Sequence, residues 1–389
     1  MPSRIVTSID EIPAEEWNAL ELGGNPTVSH EFLSTLERER CVGPHSGWSP
    51  SHIVIRGEDG ALEGAMPLYR KTHSWGEFVF DFSWAQAYAQ AGLRYYPKLV
   101  CMVPFTPAPG PRLLVGSVPQ RAEATRAQLI DTLLHTLEDE SASSAHVLFV
   151  QDSERAFLES RGFLLRKDCQ FHWQNRRYGT FEDFLATFRS EKRKKAARER
   201  RRIQEAGIEH ETLAGEEIDD PVWDVIFAFS AQTFAMRGHE HYLTANFFRS
   251  LSRQRPGAVM VKLARFKEQP IAAAIFFVGA DTLYGRYWGA QADFHSLHFE
   301  TCYYQGIDYC IERGLARFEP GTQGEHKVPR GFEPTATWSG HWIKDSRFKR
   351  AIQSYLRQEQ DAVDRYMAEV QAHVPFRRDA ATATTRDSR

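Results

Sequence analysis

No apolar run in the 389 residues is long enough to span a bilayer, and the N-terminal residues lack the cationic-then-apolar order of a secretory leader. A chain without a membrane-spanning helix is expected. Cysteine is scarce: Cys41, Cys101, Cys169, Cys302 and Cys310 are scattered, odd in number and never paired as CxxC. That argues against a disulfide scaffold and fits reduced thiols in the cytoplasm. The net charge is only -3, so the surface as a whole does not attract nucleic acid, and any polyanion binding must come from a local patch. There is no P-loop and no GxGxxG, no GxSxG nucleophile elbow and no HExxH metal helix.

What remains is an ordinary globular composition, 42% hydrophobic and 25% charged. The length exceeds one typical core, so about two domains are expected. Residues 1–175 form the first. Periodicity predicts a helix over 29–40, strands over 52–56 and 62–70 with a turn at 58–60, and a continuation of the sheet over 77–82. A helix over 121–138, a buried strand over 145–150, a short helix over 154–160 and a strand over 169–174 follow. Residues 176–376 form the second: helices over 181–206 and 224–236, strands over 259–266, 271–279 and 282–289, a helix over 297–313 stopped by Gly314, short strands over 317–319 and 337–344, and a closing helix over 347–370. Residues 377–389 are polar and small and are expected to be a disordered tail. Each half reads helix, antiparallel strands, helix, strand. An α+β fold follows, with mixed, largely antiparallel sheets flanked by helices.

The densest chemistry lies in one loop, Phe318-Glu-Pro-Gly-Thr-Gln-Gly-Glu-His-Lys-Val-Pro-Arg-Gly331. It sets Gln323, Glu325, His326, Lys327 and Arg330 among three glycines and two prolines. Glycine permits sharp bends and close approach of main chain to a ligand, and loops on a rigid scaffold are where sites usually sit. A structural turn satisfying its own backbone is the competing reading.

Three further groups stand out. In the first half, Asp81, Trp84, Tyr95, Tyr96, Lys98 and Arg112 surround a stiff segment with four prolines between 104 and 111. They suit a polar ligand with an anionic group, or equally a rigid cover in which Asp81 pairs Lys98 or Arg112. In the second half, eight of the residues 192–202 are cationic, including Lys192, Arg193, Lys194, Lys195 and Arg198. Such density attracts phosphates of a nucleotide, a coenzyme or RNA, or is simply a solvated face with some cations paired to Glu191 and Glu199. His295, His298 and Glu300 fall short of a metal site, having no third ligand at proper spacing, so no metal is expected. The His298 and Glu300 pair instead orients a substrate or caps its helix. The acyl-CoA pyrophosphate turn of acetyltransferases, (Gln/Arg)-x-x-Gly-x-(Gly/Ala), is approached only by Arg286-Tyr-Trp-Gly289-Ala-Gln291, which fails at its last position.

The runs Gly76-Glu-Phe-Val-Phe-Asp81, Tyr95-Tyr-Pro-Lys-Leu99, Pro104-Phe-Thr106, Gly110-Pro-Arg112 and Gly321-x-Gln-Gly-Glu-His-Lys327-x-x-Arg-Gly331 resemble the FemAB-like predicted N-acyltransferases, a bacterial group associated with peptidoglycan biosynthesis or recognition. The resemblance extends from about residue 25 to about residue 376. It implies tandem GNAT-like domains. It also implies transfer of an acyl or aminoacyl group to an amine, with a small molecule or cell-wall precursor as acceptor. It gives the basic helix, followed by Ala206-Gly207, a place at the entry to the second domain. No tightly bound cofactor is expected; acyl-CoA or aminoacyl-tRNA would be the co-substrate.

In such a transfer the amine loses a proton as it attacks, and the tetrahedral intermediate needs hydrogen-bond donors. Glu325 or His326 is the expected base. Lys327 and Arg330 would hold a phosphate or carboxylate, with Gln323, Arg286, His298 and Glu300 lining the substrate. Amides around Gly321 and Gly324 would serve the oxyanion. Asp81 and Lys98 would bind the acceptor across a cleft between the halves. The alternatives are a non-catalytic binder of a glycan or nucleotide-sugar precursor on the same scaffold, and an RNA-binding protein using the basic helix. The sequence leaves the oligomeric state open.

Overall fold

The computed structural model describes residues 2–377 except 237, 239, 292, 293 and 323. Gln323 and the expected tail from residue 378 onward therefore lie outside the described residues. The chain divides into two compact units. One comprises Met1–Asp168, Tyr242–Phe247 and Ala336–Asp364; the other comprises Cys169–His241, Phe248–Thr335 and Arg365–Arg389. The units are thus interleaved in sequence, where two contiguous halves meeting near residue 175 were expected. The chain passes from one unit to the other within the strands Leu164–Gln174 and Glu333–Ile343, within the helix Ser346–His373, and on either side of Tyr242–Phe247.

In the first unit an antiparallel sheet runs Ser3–Val6, His52–Arg56, Leu62–Met66, Leu114–Val115. A second set of strands runs Trp48–Pro50, Leu68–Lys71, Lys98–Cys101, Ser144–Val150 and then Glu333–Ile343. Lys98–Cys101 and Ser144–Val150 are parallel. A parallel pair needs a crossover, and the helix Pro119–Asp139 lies in that connection. Its Leu129, Ile130, Leu133 and Leu137 pack on Ile53, Ile55, Met66, Leu99 and Val147 to form the core.

The second unit repeats this plan. Ile208–Ala214, Val259–Phe266, Gln269–Val278 and Thr282–Ala290 are antiparallel neighbours. Thr282–Ala290 then runs parallel to Arg317–Glu319, the crossover being helical from Leu297 to Arg313. Trp173, Phe184, Phe188, Phe276, Tyr304, Ile307, Phe318 and Phe332 fill its core. The α+β class with helix-flanked mixed sheets therefore stands in both units.

Two elements differ from the sequence reading. Residues 77–82 do not extend the sheet: Phe78 takes a left-handed conformation (φ 59°) and the helix Phe82–Gln90 begins directly after Asp81. The Glu77 and Asp81 carboxylates are drawn inward to Lys98, which overrides the apolar strand pattern. The expected helix over 181–206 is two, Phe181–Ala186 and Ser190–Glu205. Between them Phe188 is buried and pairs its backbone with Phe376, and Arg189 N donates to Pro375 O at 2.8 Å.

Candidate active site

The parallel strands of the second unit are paired only over Thr282–Arg317, Leu283–Phe318 and Tyr284–Glu319. The longer strand continues to Ala290, and among the described residues no backbone pairing joins its 285–290 portion to the chain after Glu319. The chain leaves Glu319 close against the strand: a Cβ on Gly285 would meet the Pro320 backbone at 3.0 Å. Gly289 lies in this strand rather than in a phosphate-binding turn. A Cβ there would fall 2.0 Å from the Phe229 carbonyl carbon, so glycine is required for the helix Asp220–Ala235 to pack on the strand.

Three elements bring polar aromatic groups together beside this strand. The strand contributes Trp288; Arg286, also expected at the site, stacks on Tyr287 of the same strand. The crossover helix widens to a π-turn over Glu300–Tyr304, a local irregularity that re-aims side chains and is frequent at functional sites. It presents His298 and Tyr303. The loop after Arg317–Glu319 contributes His326 from a 3₁₀ turn, Glu325–Arg330. The His298 ring lies 5.3 Å from Trp288, 5.2 Å from Tyr303 and 5.8 Å from His326, centroid to centroid. His326 Nε2 and the Tyr303 hydroxyl share a hydrogen bond of 2.7 Å. Burial, then the charges of Lys327 and Arg330, lower the His326 pKa, so the imidazole is neutral near pH 7. Gly324 (φ 108°) makes the turn possible, since a Cβ there would overlap the His326 ring. Glu325 is exposed and accepts a hydrogen bond from the Tyr366 hydroxyl at 2.8 Å.

Lys327 and Arg330 were expected to clamp an anion, and both instead point into the protein. Lys327 is 2% exposed, donates to Gly321 O at 2.6 Å, and is pushed by burial down to about 7. Arg330 forms a two-point pair with Glu199 (Nε–Oε2 3.1 Å, Nη2–Oε1 2.7 Å), donates to His326 O at 2.5 Å, and stacks 3.3 Å over the Phe299 ring. Tyr304 donates to the same Glu199 carboxylate at 2.6 Å. This buried group braces the turn that carries His326. Glu300 is likewise not a substrate ligand: it is buried, accepts from Gln305 at 2.8 Å and lies 3.2 Å from Arg200. Glu199, Tyr303 and Trp288 were missed by sequence reasoning. The signal for Glu199 was present, since Ala196, Glu199 and Ile203 form the buried stripe of their helix.

The rest of the helix Ser190–Glu205 is outward. Lys194, Lys195 and Arg198 are exposed, Lys192 and Arg193 half-buried. Arg193, Lys194, Arg198 and Arg201 rim a groove of about 480 Å³ whose floor includes Leu185, Ala186 and Ala197, with Glu182 its one acid.

In the first unit Asp81 and Lys98 do not reach out to an acceptor. Both are buried and meet each other, and Lys98 Nζ also donates to Glu77 Oε2 at 2.7 Å and Ser74 Oγ at 2.9 Å. Burial opposes the Lys98 charge, but Glu77 and Asp81 raise its pKa above the usual lysine value. Burial would raise the Asp81 carboxyl, yet Lys98 holds it well below the usual range. Tyr95, also buried, donates to Asp81 Oδ2 at 2.5 Å and leads through His146 to His341 and Ser339. Trp84 is buried edge-on to His341, and Tyr96 bonds Ser74 at 2.8 Å. Arg112 is fully buried, donating to Leu148 O, Pro111 O and Ala108 O. The competing reading, a rigid cover with Asp81 paired to Lys98, describes this region; the partner is Lys98, not Arg112. The segment also closes the first unit's own parallel pair: beyond the pairing of Cys101 with Val147, Gly110 N donates to Phe149 O at 3.0 Å and Gly110 bridges Val150. Among the described residues no three His, Cys, Asp or Glu side chains converge on a metal position, and no helix is long and apolar enough to cross a membrane.

No curated protein matches this sequence. Solved structures with the same fold include FemX (TM-score 0.54, 11% identity, covering 91% of this chain and all of that one). They also include L-PGS from Bacillus licheniformis (0.50, 9%, 84% and 95%) and a conserved protein of unknown function from Bacteroides thetaiotaomicron (0.52, 13%, 88% and 100%). The fold is thus the one shared with FemX and L-PGS. A family model described as peptidoglycan biosynthesis/recognition matches residues 8–378, nearly the whole length, and the chain belongs to this FemAB-like family.

Proposed function

We propose that the protein is an N-acyltransferase whose second unit transfers an acyl or aminoacyl group to an amine of a small molecule or cell-wall precursor. The observation that carries this reading is the His326–Tyr303 hydrogen bond beside the parting of the parallel strands, with the His326 pKa lowered by burial and by Lys327 and Arg330. A neutral imidazole can take the proton that the amine loses on attack, and Tyr303 fixes its orientation. The amides around Gly321 and Gly324 would supply donors to the carbonyl oxygen as it becomes an oxyanion. His298 lies against the Trp288 and His326 rings and would hold the substrate, and Arg286, from the same strand as Trp288, would assist. Direct attack suits the site, because Cys302, the thiol on the π-turn, is buried with its pKa pushed well up.

The donor carries its acyl group on a phosphate-rich carrier, acyl-CoA or aminoacyl-tRNA. The outward cations Lys194, Lys195 and Arg198 support either. The use of Gly289 for helix packing rather than a pyrophosphate turn favours the tRNA-linked donor.

The deciding experiment titrates the protein with acetyl-CoA, longer acyl-CoAs and charged tRNA at one fixed salt concentration, then follows transfer to amine acceptors. Saturable binding of a donor and turnover lost in His326→Gln support the reading. Binding of a donor with turnover intact in His326→Gln removes His326 as base. Binding of none, with retention of a glycan or nucleotide-sugar precursor, replaces catalysis with recognition.

A further inference from the structure

The first unit contains a cavity that the transfer chemistry does not use. It has a volume of about 780 Å³, within the range of small-molecule sites. Its wall is formed by the helix Asp152–Ser160, the residues 162–167, the strand Glu333–Ile343 and one face of the helix Ser346–His373. Arg155, Lys167, Lys349 and Arg357 line it, against Glu159 as the one acid.

The way these cations are held matters more than their number. The Arg155 guanidinium lies 4.6 Å from the centre of the half-buried Trp338 indole, and Lys167 Nζ lies 5.5 Å from it. Lys349 Nζ lies 4.5 Å over the Trp342 ring and donates to Gly162 O at 3.2 Å. Aromatic faces and a carbonyl fix a cation's position without cancelling its charge, as a carboxylate would. Acids do approach from outside the cavity: Asp364 pairs Lys167, and Asp152 comes within 3.8 Å of Arg155. Lys349 has no such partner among the described residues, and Arg357 is exposed. The result is a roomy, ring-walled cavity with an excess of positioned positive charge.

We propose that this cavity binds a small molecule carrying two or more linked phosphates. The linked anions would bridge the Arg155–Lys167 side and the Lys349–Arg357 side, and the remainder of the molecule would lie on Trp338. The proposal is independent of the transfer reaction and rests on the first unit alone.

Isothermal titration calorimetry of the full chain with ADP and with inorganic pyrophosphate, at constant ionic strength, tests it. Saturable one-to-one binding of at least one probe is expected. Arg357→Glu and Lys349→Glu should each weaken it by at least about tenfold, the scale set by the loss of one charged contact. Arg198→Glu, in the basic groove of the second unit, should leave the dissociation constant unchanged. Arg357 is exposed, so its reversal does not threaten folding. Absence of saturable binding by both probes overturns the proposal. So does binding that Arg198→Glu abolishes and Arg357→Glu spares. Binding of a single-stranded RNA oligonucleotide with neither probe also overturns it, in favour of an RNA surface.

Discussion

Arg330→Ala would remove a guanidinium that is 4% exposed and leave the Glu199 carboxylate, 5% exposed, with the Tyr304 hydroxyl as its remaining close partner. Breaking a buried ion pair from one side costs about 3–5 kcal/mol, because the surviving charge stays desolvated. The lost stacking on Phe299 adds up to about 2 kcal/mol. For a unit of this size each kcal/mol lowers the melting temperature by about 2–4 °C, so the pair alone predicts a fall of about 6–20 °C. Differential scanning calorimetry is the assay, since two units need not melt together. The double variant Glu199→Gln with Arg330→Met carries no orphan charge and should recover more than half of the loss. The same variants report on the site, because Arg330 also holds the His326 carbonyl. A single variant melting within about 3 °C of the parent, the shift of roughly 1 kcal/mol, would refute the argument. A double variant as unstable as the single would do so too.

Turnover should fall by about 10²–10⁴ in His326→Gln, the usual contribution of a general base, whereas Glu325→Gln should stay near the parent because Glu325 faces solvent and Tyr366; steady-state kinetics separates the two. Lys327 has a folded pKa near 7 against 10.5 unfolded, so the unfolded chain binds more protons between these values. Its contribution to stability therefore rises as pH goes from about 7 to 10.5, and a set of denaturant melts should show that slope reduced in Lys327→Met. Gly289→Ala should destabilise the second unit by about 1–3 kcal/mol or more through overpacking against Phe229, and an unchanged denaturation midpoint would contradict the close approach.

Much of the fold was legible. The helices near 29–40, 121–138 and 297–313 and the strands 259–266 and 282–290 follow from periodicity and glycine stops. The tandem repeat of antiparallel strands followed by a helical crossover was visible as repeated order. The helix Phe82–Gln90 was not, because its apolar and aromatic residues show little periodicity and Pro97 and the prolines of 104–111 dominate the pattern around it. The site was half legible. His326 and His298 stood out by residue type, and the structure sets their rings 5.8 Å apart. Tyr303 did not, since an aromatic within a buried helix reads as core until the π-turn brings it to His326.

The sequence by itself determined most of the local elements, which depend on neighbours within a few residues, together with the α+β class and the family motifs. Only tertiary structure decided which charges face solvent. Lys327, Arg330, Asp81, Lys98 and Arg112 look like ligand-binding groups in a linear reading, yet all are buried and engaged within the protein. Glu199 and Arg330 are 131 residues apart. Whether such a pair meets, and whether water is excluded when it does, depends on the packing of whole helices and strands. Desolvation and not proximity in sequence sorted the braces from the groups left free to act.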